Sequence, residues 1–118
     1  MILGIVTPNG LPTLTLPIAG QSWTALVDTG FNGDLELPDG LKSALNARFD
    51  GQIRSHLAGG QEIVEDVFLV DFPFDGKAVL AEATFVPSGE ILIGTHLLRP
   101  YRLTIDFPAG TVALERVI

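Results

Sequence analysis

The chain contains no cysteine, which excludes disulfides, thiolate zinc sites and cysteine nucleophiles together. Basic residues are also scarce. Seven Lys and Arg stand against fourteen Asp and Glu, a net charge of −7, and no segment gathers the basic ones into the patch that phosphate contacts require. Nucleic acid is therefore not an expected partner, and the acidic residues, spread along the chain, read as a solvated surface. Long apolar runs are missing too: none approaches the roughly 20 residues of a membrane span. The opening Met1-Ile2-Leu3-Gly4-Ile5-Val6 has no basic segment and only a short apolar run before Pro8, unlike a secretory signal. No membrane partner is expected, and a soluble cytoplasmic protein is the default. His56 and His96 are the two histidines. Without a third clustered ligand they read as ordinary residues, so neither a metal nor a cofactor is expected. Ser22, Ser43, Ser55 and Ser88 lack the strand-turn-helix context of a nucleophilic serine.

What is present suits one compact unit. At 118 residues and 47% hydrophobic content the chain is sized for a single domain, 1–118, with one core. Thirteen glycines and eight prolines punctuate short segments rich in Val, Ile, Leu, Thr and Phe, the pattern of an all-β barrel or sandwich. Ile2 to Val6 and Thr13 to Ile18 flank Asn9-Gly10, a tight reversal. Gln21 to Val27 enters Asp28-Thr29-Gly30, and after Phe31-Asn32-Gly33 a strand resumes over Asp34 to Leu37. Leu41 and Leu45 at i, i+4 predict a short helix with Asp39 as its N-cap. Two extended runs, about 51–57 and 62–72, are joined by Ala58-Gly59-Gly60-Gln61. Ala78 to Val86, a Pro87-Ser88-Gly89 turn and the apolar Ile91-Leu92-Ile93 follow. Thr95 is a candidate cap for a second brief helix that Pro100 ends. A last hairpin spans Tyr101 to Phe107 and Thr111 to Val117, and Asp106 reads as a surface or turn residue.

An Asp-Thr-Gly triplet arises by chance in a chain of this length at a rate of roughly 2%, and a bare triplet reads more readily as a turn. Its surroundings argue for more. Ala25-Leu26-Val27 is a buried type of strand, and an Asp at its end costs free energy unless paired or hydrogen-bonded.

The series Ala25-Leu26-Val27-Asp28-Thr29-Gly30, followed about sixty residues later by Ile91-Leu92-Ile93-Gly94 and a leucine-rich helix candidate, resembles the retropepsin-like aspartic proteases (clan AA). The resemblance covers nearly the whole chain, in order: N-terminal strands, Asp-Thr-Gly loop, glycine-tipped hairpin, apolar-apolar-Gly motif, short helix and terminal strand. The Asp-Thr-Gly-Phe form and the additional C-terminal hairpin place it nearer small stand-alone prokaryotic members than viral ones. It implies a closed, all-β acid-protease barrel with one or two short helices.

The resemblance also implies an aspartic endopeptidase active as a homodimer, in which Asp28 of each subunit meets its symmetry mate. Peptide or protein is the implied substrate. Thr29 would hold the loops across the dimer, Gly30 would admit close backbone approach, and Ala58, Gly59, Gly60 and Gln61 would form the tip of a flap. The apolar termini, Ile2 to Val6 and Thr111 to Ile118, would be available for pairing between subunits. Retroviral members carry a small residue and then an acid after Asp-Thr-Gly, and an Arg after the second glycine motif. Here those positions hold Phe31, Asn32 and Thr95, so the supporting ion pair is lost on both sides. Phe31 and Asn32 are assigned to the substrate cleft. These departures sustain an alternative function, a non-catalytic dimeric binding or assembly module on the same fold.

Overall fold

The computed structural model describes residues 1–87 and 89–118. Ten strands form one sheet: β1 (Ile2–Val6), β2 (Pro12–Ile18), β3 (Gln21–Val27), β4 (Leu35–Pro38), β5 (Arg48–His56), β6 (Glu62–Phe74), β7 (Lys77–Val86), β8 (Ile91–Ile93), β9 (Tyr101–Asp106) and β10 (Thr111–Arg116). Their spatial order is β5-β6-β7-β4-β8-β3-β2-β1-β10-β9. Period-two alternation explains why these segments are strands. Leu14, Leu16 and Ile18 of β2, Val70, Phe72 and Phe74 of β6, and Val112 and Leu114 of β10 all point into one core, and the residues between them, Thr15, Pro17, Asp71, Pro73 and Ala113, are less buried.

The expected closed barrel is not formed by backbone pairing: the order has two ends, β5 and β9. The helices also fall short of expectation. Asp39–Leu41 makes a single 3-10 turn whose N-cap is Pro38, with no side-chain cap, in place of the helix capped by Asp39. Turns alone follow Thr95, because residues 95–100 end at Pro100 before a second helical turn can form. The Pro87-Ser88-Gly89 turn includes Ser88, which lies outside the described residues. An additional reversal occurs at Asp75-Gly76, both at positive φ (54° and 81°), between β6 and β7. Its Asp-Gly dipeptide is a strong hairpin signal.

The termini pair within the chain. β1 runs antiparallel to β10, with Ile2 opposite Leu114 and Ile5 opposite Thr111, and its other edge carries β2. Of the terminal strands expected to join a second subunit, β10 is thus flanked on both sides by β1 and β9, and β1 is paired to β10 over 2–5 and to β2 over 4–6. Among the described residues no helix is long and apolar enough to cross a membrane.

Candidate active site

The two glycine motifs meet at the centre of the sheet. β3 and β8 are parallel, with Ala25 opposite Ile91, Leu26 opposite Leu92 and Val27 opposite Ile93, and β8 is flanked on its other side by β4. Asp28 follows directly on β3. Its N–H donates to the Ile93 carbonyl at 3.0 Å, and its own carbonyl accepts from the Phe31 N–H at 3.1 Å. The Asp28 side chain is half-buried, and its Oδ1 accepts the Gly30 N–H at 3.0 Å. A Cβ on Gly30 would lie 3.3 Å from that same oxygen, so glycine keeps the carboxylate uncrowded.

Three further backbone bonds fasten the second motif to the first. The Gly94 N–H donates to the Asp34 carbonyl (2.9 Å), Thr95 N–H to Phe31 (2.8 Å) and His96 N–H to Gly33 (3.2 Å). Contact is so close that a Cβ on Gly94 would overlap the Gly33 carbonyl oxygen. The Phe31 ring lies against both glycines, 2.8 Å from where a Gly94 Cβ would stand and 2.7 Å from that of Gly33. Phe31 thus packs down between the loops as a wedge.

Asp34 is buried, with 8% of its surface exposed. Its Oδ2 accepts the Glu82 N–H at 2.9 Å, and its Oδ1 meets His96 Nδ1 at 2.5 Å. A carboxylate this enclosed is tolerable because both oxygens have partners. The Asp34–His96 pair therefore ties the two motifs by side chains, and it stands one position beyond the Asn32 and Thr95 sites where the viral ion pair is missing on the second motif and two beyond on the first. Sequence reading missed it. Asp34 looked like the first residue of a strand and His96 like an ordinary histidine, and no local pattern links residues 62 apart.

Burial first, then Glu65 and Asp28, push the Glu36 carboxyl above its ordinary range; Glu36 lies on β4 opposite Leu92 of β8. Two recesses adjoin the motifs. One of about 80 Å³ is bounded by Phe31, Leu35, Ile53 and Val67, and one of about 370 Å³ by Asn32, Asp34, Leu80 and His96. Asp28 lines neither.

β5 and β6 pair from Arg48 opposite Leu69 to His56 opposite Glu62, so the hairpin begins three residues before the expected 51 and its pairing ends at Leu69, beyond which β6 pairs with β7 alone. At its tip Gly59 and Gly60 adopt φ of 99° and 84°, and the Leu57 N–H donates to the Gln61 carbonyl at 2.7 Å. Those dihedrals are why the tip needs glycine. Ala58, Gly59, Gly60 and Gln61 are all exposed. The structure thus brings Asp28 to Asn32 together with Ile91 to Gly94, and holds 58–61 apart at the end of the arm. Among the described residues no group of three or more potential metal ligands occurs.

No family model matches this sequence, and no curated protein matches it. Solved structures do. A retropepsin-like aspartic protease from Rickettsia conorii superposes with a TM-score of 0.66 at 15% identity, covering 98% of this chain and 89% of that one. The fold is retropepsin-like. Simian foamy virus (mac) protease gives a TM-score of 0.58 at 23% identity over 74% of this chain and 91% of its own. EIAV protease, solved with an inhibitor, gives 0.54 at 16% identity over 79% and 89%. The rickettsial match covers more of this chain than either viral one.

Proposed function

We propose that this protein is an aspartic endopeptidase that works as a homodimer, with Asp28 the one catalytic carboxylate from each subunit. The observation that carries the reading is the setting of Asp28: its backbone is locked to β8 through Ile93, while its carboxylate stays half-exposed and is oriented by a single N–H from Gly30. A merely structural Asp would be more fully satisfied, as Asp34 is.

Two such carboxylates about 3 Å apart across a two-fold axis cannot both ionise, so they share one proton and titrate as a pair. The charged member draws a proton from a water held between them, that water attacks the peptide carbonyl, and the protonated member supports the developing oxyanion. Thr29, exposed beside Asp28, is assigned to bonding across the axis. The β5–β6 hairpin is assigned to closing over an extended peptide and excluding water, with Ile53 and Phe31 meeting its side chains.

The Asp34–His96 tie bears on the alternative of a passive binding module. That reading rested on Phe31, Asn32 and Thr95, and the packing of Phe31 together with the Asp34–His96 hydrogen bond offers another way of fastening the two loops. Cleavage of an unfolded protein substrate, followed from about pH 3 to pH 7 for wild type and Asp28→Asn, tests the proposal. The variant is expected to stay folded and lose cleavage at every pH. Equal cleavage by both proteins would sink it, and none by either would favour the binding module.

A further inference from the structure

The site proposed above is incomplete without a second copy, and the terminal strands expected to recruit that copy are already paired within the chain. Among the described residues only β5 and β9 end the sheet. β5 is a poor template: its register shifts between Phe49 and Gly51, and such bulges turn an edge away from partners. β9 is regular, with six successive residues paired to β10 from Asp106 opposite Thr111 to Tyr101 opposite Arg116.

We propose that β9 is the dimerisation edge, pairing antiparallel with β9 of a second copy about a two-fold axis through Thr104. The inference rests on the homodimer reading and adds where the copies join. Its basis is the self-complementary order of the strand. Antiparallel pairing centred on Thr104 sets each residue against the one equally far on the other side, so Arg102 faces Asp106 of the mate and Leu103 faces Ile105. Arg102, Thr104 and Asp106 are exposed on one face, whereas Leu103 and Ile105 are half-buried on the other. Opposite charges therefore pair on the outer face and aliphatic side chains on the inner one, each twice by symmetry, which are stabilising cross-strand combinations.

The internal partners of these groups leave room for the exchange. Arg102 reaches Glu115 only at 3.9 Å, with both side chains at least half exposed. Asp106 uses one oxygen to accept the Ala109 N–H and keeps the other. The pairing joins β1, β10 and β9 of each copy into a continuous six-stranded element. A dimer has one two-fold axis, so the axis at Thr104 is also the one that relates the two Asp28 carboxylates.

The absence of native cysteine makes the test direct. In Thr104→Cys the single thiol faces its own mate at a cross-strand Cα separation of about 4.5–5.5 Å, within disulfide reach. Mild oxidation is expected to give a covalent dimer at low protein concentration that still cleaves peptide. Sedimentation of Arg102→Asp should show the dimer dissociation constant raised by about tenfold, with Arg102→Asp/Asp106→Arg restoring it. Circular dichroism reports whether each variant is folded. A wild-type dimer in which Thr104→Cys does not cross-link and Arg102→Asp does not dissociate would overturn β9 as the edge and leave the homodimer reading intact. Wild-type monomer with full activity would overturn both.

Discussion

Replacing Asp34 with alanine is expected to destabilise the protein by about 1–4 kcal/mol, and the figure follows from which partner is left stranded. The Glu82 N–H that Asp34 Oδ2 accepts lies on β7 and is partly buried; leaving such a donor unsatisfied costs about 1–3 kcal/mol. His96 is half exposed at its side chain, so it regains water when the carboxylate is removed and its loss adds at most about 1 kcal/mol. For a domain of this size that total lowers the melting temperature by roughly 4–16 °C. Three variants separate the contributions. His96→Ala should cost about 1 kcal/mol, because Asp34 keeps the Glu82 N–H. Asp34→Asn, which retains an acceptor oxygen, should fall between it and Asp34→Ala. Thermal denaturation followed by circular dichroism at pH 7 gives the ranking. A melting temperature for Asp34→Ala within about 2 °C of wild type would refute the reasoning, as would His96→Ala proving the more damaging.

Glu36→Gln should stabilise the protein at neutral pH. Burial, Glu65 and Asp28 raise the folded-state carboxyl pKa, so the folded chain binds that proton more tightly than the unfolded chain, and stability attributable to Glu36 is lost as pH rises through the raised value. The gain from Gln should therefore fade below about pH 4, where the carboxyl is protonated in both states; a pH-independent gain in melting temperature would contradict it. Gly94→Ala should cost at least about 2 kcal/mol, because its Cβ would meet the Gly33 backbone oxygen, which cannot move without shifting the loop. Gly33→Ala should cost less, since its Cβ meets the Phe31 ring, which can rotate away. Urea midpoints at unchanged slope check the pair, and the reverse order would show that the loops are not packed as described.

Much of the strand pattern was legible because it is local. Alternation in Thr13 to Ile18 and Thr111 to Val117, and the glycine and proline breaks between segments, report burial of one face without reference to anything distant. The helix over Leu41 to Leu45 was misread for the same reason. Leu41 and Leu45 are both buried, as the i, i+4 spacing said, but turns satisfy that burial as well as a helix does, and without a side-chain cap the segment stops at one 3-10 turn.

The candidate site divides along the same line. Asp28-Thr29-Gly30 and Ile91-Leu92-Ile93-Gly94 were readable as motifs, but nothing local to either shows that their strands lie side by side. By itself the sequence determined the all-β class and the position of the one Asp at a buried strand end, because alternation and turn chemistry act over a few residues. Only the tertiary structure decided that β8 lies beside β3, that Asp34 and His96 lock the two loops, and that the termini pair with each other and leave β9 at the edge. Those are contacts across tens of residues, fixed by which strands can share one core, and no short stretch of chain encodes them separately.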